Sequence, residues 1–76
     1  MFNLIESGKL LKKLVKESKY SMDEICKMLN ISKTAMYAWF RGESLPSLDN
    51  LFFLAEILDK RPDELIVYES ILDRVA

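Results

Sequence analysis

Three serines punctuate the middle of this chain and constrain it most. Ser21, Ser32 and Ser47 each stand directly before a run whose apolar residues recur at helical spacing. That is the position at which a side-chain oxygen caps the start of an α-helix. The clearest case is "SMDE", residues 21–24. Ser21 can accept from the amide of residue 24, and Glu24 can reach back to the amide of residue 21. Helix starts this closely spaced leave only short connections, so the helices must pack as one tight cluster. No segment sustains the period-two alternation of a strand, and an all-α fold is expected.

Spacing and punctuation predict five helices in a single domain covering residues 1–76. The first runs from about Ile5 to Ser18, with Leu10, Leu11, Leu14 and Val15 inward and Lys9, Lys12, Lys13 and Lys16 outward. The second, 21–29, turns Ile25, Met28 and Leu29 inward and stops at Asn30, a residue that tolerates the left-handed conformation. The third, 32–41, ends at Gly42. The fourth, 47–58, buries Leu48, Leu51, Leu54, Ala55 and Leu58. The fifth opens at Pro62, a favoured first helical residue, and extends to 75 through Leu65, Ile66, Tyr68, Ile71, Leu72 and Val75.

Composition narrows the function classes. With 76 residues, half of them hydrophobic, and only two glycines and two prolines, the chain suits a small helical domain and not a disordered segment. No apolar run reaches the roughly eighteen residues of a membrane span, and the N-terminus lacks the order of a signal peptide. A lone Cys26 and the absence of His point to a reducing, cytoplasmic setting and make a Cys/His zinc site unexpected. Without a glycine-rich phosphate loop or a nucleophile–base set, neither enzyme chemistry nor a cofactor is expected.

The formal charge of −1 hides an asymmetry. Residues 1–19 carry five Lys against two Glu, a net +3; residues 20–47 balance three against three; residues 48–76 carry three bases against seven acids, a net −4. A chain divided in this way can still offer one face to a polyanion.

The segment "SKTAMYAWFRGESLPS", residues 32–47, crowds Met36, Tyr37, Trp39 and Phe40 ahead of an Arg-Gly. At about 100° per residue, with Met36 at zero, Trp39 falls near about −60° and Phe40 near about +40°, so these three share an inner face. Tyr37, Arg41, Thr34 and Ala38 then lie between about 100° and about 200°, on the opposite side. This outward strip is polar, short in the middle and basic at both ends, with Lys33 at its start and no acid between Asn30 and Gly42. Small or hydrogen-bonding residues where a helix meets base edges, and cations where it passes phosphates, suit a DNA major groove.

The capped second helix, the "LNIS" turn, the Trp-x-Arg-Gly ending, the "PSLDNL" start and "RPDELI" together resemble the XRE-type helix-turn-helix family, the compact five-helix domains of Cro and lambda-type repressors. The resemblance covers residues 5 to about 67. It implies a lambda-repressor-like fold and sequence-specific binding of double-stranded DNA, as a bacterial or phage-type transcriptional regulator. A homodimer reading a pseudo-palindromic operator, acting as a repressor, is the form implied. Matched position by position, it assigns base reading to Lys33, Thr34, Tyr37 and Ala38. Phosphate contacts fall to Ser21, Arg41, Ser44 and Ser47, with the amides at the start of the fourth helix. Lys9 and Lys12 add long-range attraction.

Three departures stand out. Met22 occupies a position where the family usually has a phosphate-binding Gln. Val15 and Phe40 replace an Arg–Glu ion pair, so Phe40 is expected to pack on Val15. Lys19 stands where a Gly commonly ends the first helix. Apart from these three, Cys26 takes a small-residue packing position. The apolar stripe of Tyr68, Ile71, Leu72 and Val75 is the expected dimer surface, with packing onto the domain's own core as the alternative. The rival function is a protein-interaction module of the same fold, an antitoxin or anti-repressor with weak or no DNA binding. With one domain in view, control by concentration or by a regulatory protein partner is expected, not by a built-in sensor.

Overall fold

The expected caps form. In the computed structural model, which describes residues 1–74, helix α1 spans Leu4–Glu17, α2 Met22–Leu29, α3 Lys33–Phe40 and α4 Leu48–Leu58. Ser21 Oγ accepts from the Glu24 amide at 3.1 Å, and the Ser21 amide donates to Glu24 Oε1 at 3.0 Å, which completes the capping box. Ser32 accepts from Ala35 N at 3.1 Å and Ser47 from Asn50 N at 3.2 Å. Asn3 caps α1 by accepting from Glu6 N at 3.0 Å. Asn30 ends α2 in the left-handed region, with φ 55°, and Gly42 does the same after α3, with φ 75°.

The core gathers Leu11 and Val15 of α1, Ile25, Cys26 and Leu29 of α2, and Met36 and Trp39 of α3. Leu54 and Ala55 of α4 and Leu65 beyond it complete the cluster. The most extensive helix pairing is α1 on α3. It depends on Gly8, buried in the middle of α1. A Cβ there would lie 2.5 Å from the Trp39 carbonyl oxygen and press on that of Phe40, backbone atoms that cannot swing aside. Glycine weakens a helix interior by about 0.5–1 kcal/mol, and the close approach it permits offsets that cost. At the end of α3, a Cβ on Gly42 would lie 2.9 Å from the Ile5 backbone.

Two residues expected inside are exposed. Met28 is 49% accessible. The inner arc of α2 is completed by Cys26, about 100° from Ile25, and Met28 lies about 60° off the other edge. Leu48 is 72% accessible. Its angular position on α4 is inward, but as the first helical residue it lies beyond the neighbouring elements and lines an open groove with Leu45, Pro46 and Leu51.

The fifth helix is the larger correction. In place of a helix over 62–75, the chain makes a 3-10 turn, Pro62–Leu65, then an extended stretch, then one helical turn, α5, Ile71–Arg74. Ile66 is extended, with φ −126° and ψ 136°. The β-branched Ile66 and Val67 are mediocre helix formers, and long-range hydrogen bonds capture them. Asn3 N donates to the Val67 carbonyl at 2.8 Å and Glu69 N to that of Met1 at 2.8 Å, with Phe2 and Tyr68 opposed in an isolated antiparallel bridge. Ser7, a buried polar side chain, accepts from Val67 N at 2.8 Å and lies 3.2 Å from the Val67 carbonyl. Val75, named above as part of a fifth-helix stripe, lies outside the described residues.

Among the described residues no helix is long and apolar enough to cross a membrane. Gly8→Ala is expected to destabilise the domain by about 3 kcal/mol, because α1 must lift off the α3 backbone. Urea denaturation measures this, and a variant as stable as the parent would remove the close crossing.

Candidate nucleic-acid interface

The orientation of α3 follows from what it buries. Met36 is fully inaccessible and Trp39 nearly so, while Phe40 is half-buried against the core. The opposite side therefore faces out. Lys33, Thr34, Tyr37 and Arg41 are exposed, and Ala38 is half-buried. Ala38 stands less free than its neighbours, and its carbonyl accepts from Glu43 N at 2.9 Å as the chain turns back after the helix.

Val15 is buried and Phe40 packs on the cluster that contains it. Both line one cleft of about 660 Å³ between α1, the start of α2 and the outer side of α3. The two apolar residues form the cleft floor together with half-buried Met22. Phe40 meets the Tyr37 ring edge-on, with centroids 6.3 Å apart, and steadies that side chain at the cleft wall. The rim carries Lys12, Lys16, Ser21 and Arg41. Lys12 and Lys16, four apart on α1, share a helix face. The spacing was visible in the sequence, but not that this face adjoins α3.

The structure therefore brings Ser21, Tyr37 and Arg41 together with Lys12, expected above to add long-range attraction, and adds Lys16. Ser44 and Ser47 are exposed in the connection to α4, outside this cleft. Ser21 and Ser47 use their oxygens as cap acceptors, which leaves each hydroxyl proton to donate outward. Lys9 leans on Glu6 at 3.4 Å, which offsets its charge. Lys19 is expected in place of a helix-ending glycine, and Ser18 closes the turn before it. Its Oγ lies 2.9 Å from the Val15 carbonyl and accepts from Tyr20 N, and the Lys19 ammonium rests over the Tyr20 ring.

The strip has no acid of its own, yet both of its end cations are partnered from outside it. Lys33 Nζ lies 2.8 Å from Asp23 Oδ1 on α2, and Arg41 Nε donates to Glu43 Oε2 in the following loop. The hydrogen bond to Asp23, reinforced by its charge, holds the Lys33 ammonium above its ordinary pKa. The bond to Glu43 does the same for Arg41 and lowers the Glu43 carboxyl. Burial pushes the Cys26 thiol up, so it is a small core residue and a poor nucleophile.

The sequence profile of the helix-turn-helix family matches residues 11–65. Among solved structures, the chain is similar to the restriction-modification controller protein C.AhdI from Aeromonas hydrophila, at 27% identity and a TM-score of 0.70. That match covers 82% of this chain and 94% of the other. Comparison with curated proteins finds no match.

Phe40→Glu is expected to lower stability by about 2–3 kcal/mol, since it removes a ring packed on the core and puts a carboxylate on the apolar floor, a loss the rim cations offset only in part. Thermal melting tests this, and an unchanged melting temperature would separate Phe40 from the Val15 floor.

Proposed function

Because the chain belongs to the XRE-type helix-turn-helix family of DNA-binding transcription regulators, we propose that it reads double-stranded DNA sequence-specifically, with α3 laid in the major groove. The outward strip of α3 carries this reading. Lys33 and Thr34 at the exposed N-terminal end can donate to base edges, Lys33 to guanine O6 or N7, while the Thr34 methyl can also meet a thymine methyl. Tyr37 reaches a base or a phosphate, and the small Ala38 lets the helix approach closely. Ser21, Arg41, Lys12 and Lys16 around the cleft, with Ser44, Ser47 and the α4 amides further on, would grip phosphates and set the register. Similarity to a restriction-modification controller protein favours a controlling role. Repression by occluding a promoter is the simplest output.

A second copy completes the reader. Tyr68, Ile71 and Leu72 are 60%, 73% and 71% accessible, and α4 adds Phe52 and Phe53 at 54% each. Leu48 joins the two groups, since it borders both the Phe52–Phe53 surface and an apolar groove of about 280 Å³ that also involves Phe2 and Tyr68. So much apolar surface on a small domain supports self-association. On this reading the dimer surface lies on α4, Tyr68 and the short α5 turn, in place of a long fifth helix. Two α3 helices would then meet half-sites about 34 Å apart on a pseudo-palindromic operator.

Selection of bound fragments from random-sequence DNA is expected to return two inverted half-sites. Binding should weaken with salt at a log–log slope of about −0.9 per phosphate contact. Salt-insensitive or absent binding would favour a protein-interaction module in place of a DNA reader. Phe52→Lys combined with Phe53→Lys is expected to sediment as a monomer and to lose at least about tenfold in operator affinity, equivalent to about 1.4 kcal/mol. A parent protein that is itself monomeric would remove the proposed interface.

A further inference from the structure

We propose that Asp23 and Glu43 are built-in counter-ions, holding the two cations of the α3 strip so that Lys33 engages a base edge only where a matched site displaces its carboxylate. The inference rests on the DNA reading above and goes beyond it, because it assigns a restraining role to two acids that themselves make no favourable contact with DNA.

Lys33 is the first residue of α3, where the helix dipole disfavours a cation, and α3 supplies no acid to compensate. Asp23, in the first turn of α2, supplies one across the helix-turn-helix. The pair draws the ammonium back over a shallow hollow lined by Cys26, Lys27, Asn30 and Ile31. The Lys33 and Asp23 side chains are 57% and 61% accessible. A pair this open to water contributes little to folding, so stability does not account for it. At the other end of the strip, Arg41 is held by Glu43, each 57% accessible.

The two pairs leave the strip with charges but little field. A phosphate approaching Lys33 or Arg41 also meets Asp23 or Glu43 well inside the screening length of about 8–10 Å. Non-specific attraction is thereby reduced. Breaking an exposed pair costs a factor of about five or less in an equilibrium. A matched base contact returns a factor of about 10 to 100. Exchange of Asp23 for a guanine edge is therefore favourable, whereas exchange for a base without acceptors in reach is not. Arg41 trades Glu43 for a phosphate, which carries no sequence information.

The test is a double-mutant cycle on the full chain, read by fluorescence anisotropy on mixed-sequence duplex DNA and on a duplex selected for binding, over a range of salt. Asp23→Asn is expected to tighten mixed-sequence binding by up to about fivefold at low salt and to steepen the salt slope by about 0.9, one phosphate contact. The selected duplex should gain at least as much, because only there does the parent bear the whole cost of displacing Asp23, so the ratio of selected to mixed-sequence affinity should hold or rise. In a Lys33→Met background the gain should shrink to what Asp23's own repulsion of phosphates supplies, because the remainder runs through the lysine. Glu43→Gln should tighten both duplexes alike and leave the ratio unchanged. An Asp23→Asn gain of equal size with and without Lys33 would reduce Asp23 to a generic negative charge and overturn the proposal, as would no gain at all. If the parent binds neither duplex, the DNA reading itself falls and this inference with it; if the parent binds but the cycle shows no coupling, only the inference falls.

Discussion

The crossing of α1 over the end of α3 is the contact on which the candidate interface depends. α3 has eight residues, too few to hold a helix on its own propensity. It persists because Met36 and Trp39 are buried, and because Gly8 lets the two backbones approach to a distance no other residue allows. Gly42 against Ile5 closes the same contact at the end of the helix. Those fixed points decide the rotation of α3 about its axis. Once Met36 and Trp39 are inside, Thr34 and Tyr37 have nowhere to go but outward. Interiors pack too densely to let such a short helix roll.

The same crossing shapes the electrostatics. It carries the Lys12–Lys16 face of α1 to the edge of α3, where it meets Ser21, Tyr37 and Arg41 around one cleft. A net charge of −1 therefore conceals a local concentration of cations, while most of the acid excess lies beyond residue 47. Val15, Met22 and Phe40 keep the cleft floor apolar, so the cations at the rim are not consumed by a buried partner beneath them. The acids that do partner Lys33 and Arg41 sit at the surface, where water and DNA can compete for them.

What was legible in the sequence was local. The Ser21–Glu24 box, the Ser32 and Ser47 caps and the left-handed Asn30 and Gly42 involve atoms within about one helical turn of each other. Residue type at fixed spacing is sufficient there. The inner face of α3 was also legible, since helical period alone places Met36, Trp39 and Phe40 together. Met28 and Leu48 show where that logic ends: angular position gives a side, but not whether a neighbouring element extends far enough to cover it. The candidate interface divides in the same way. Its strip on α3 could be read, whereas Lys16 at the cleft rim, Asp23 against Lys33 and the open face of α4 could not.

The amino-acid order by itself determined where the first four helices begin and end, and which way α3 turns, because capping bonds and helical period act between near neighbours. Only the tertiary structure decided the path after Leu65. There Val67 is taken by Ser7, sixty positions away, and an apolar run at helical spacing becomes an extended segment bound to the N-terminus. It also decided which charges are partnered and which apolar groups stay in water. Those outcomes depend on distances between segments far apart in the chain, and no local preference encodes such distances.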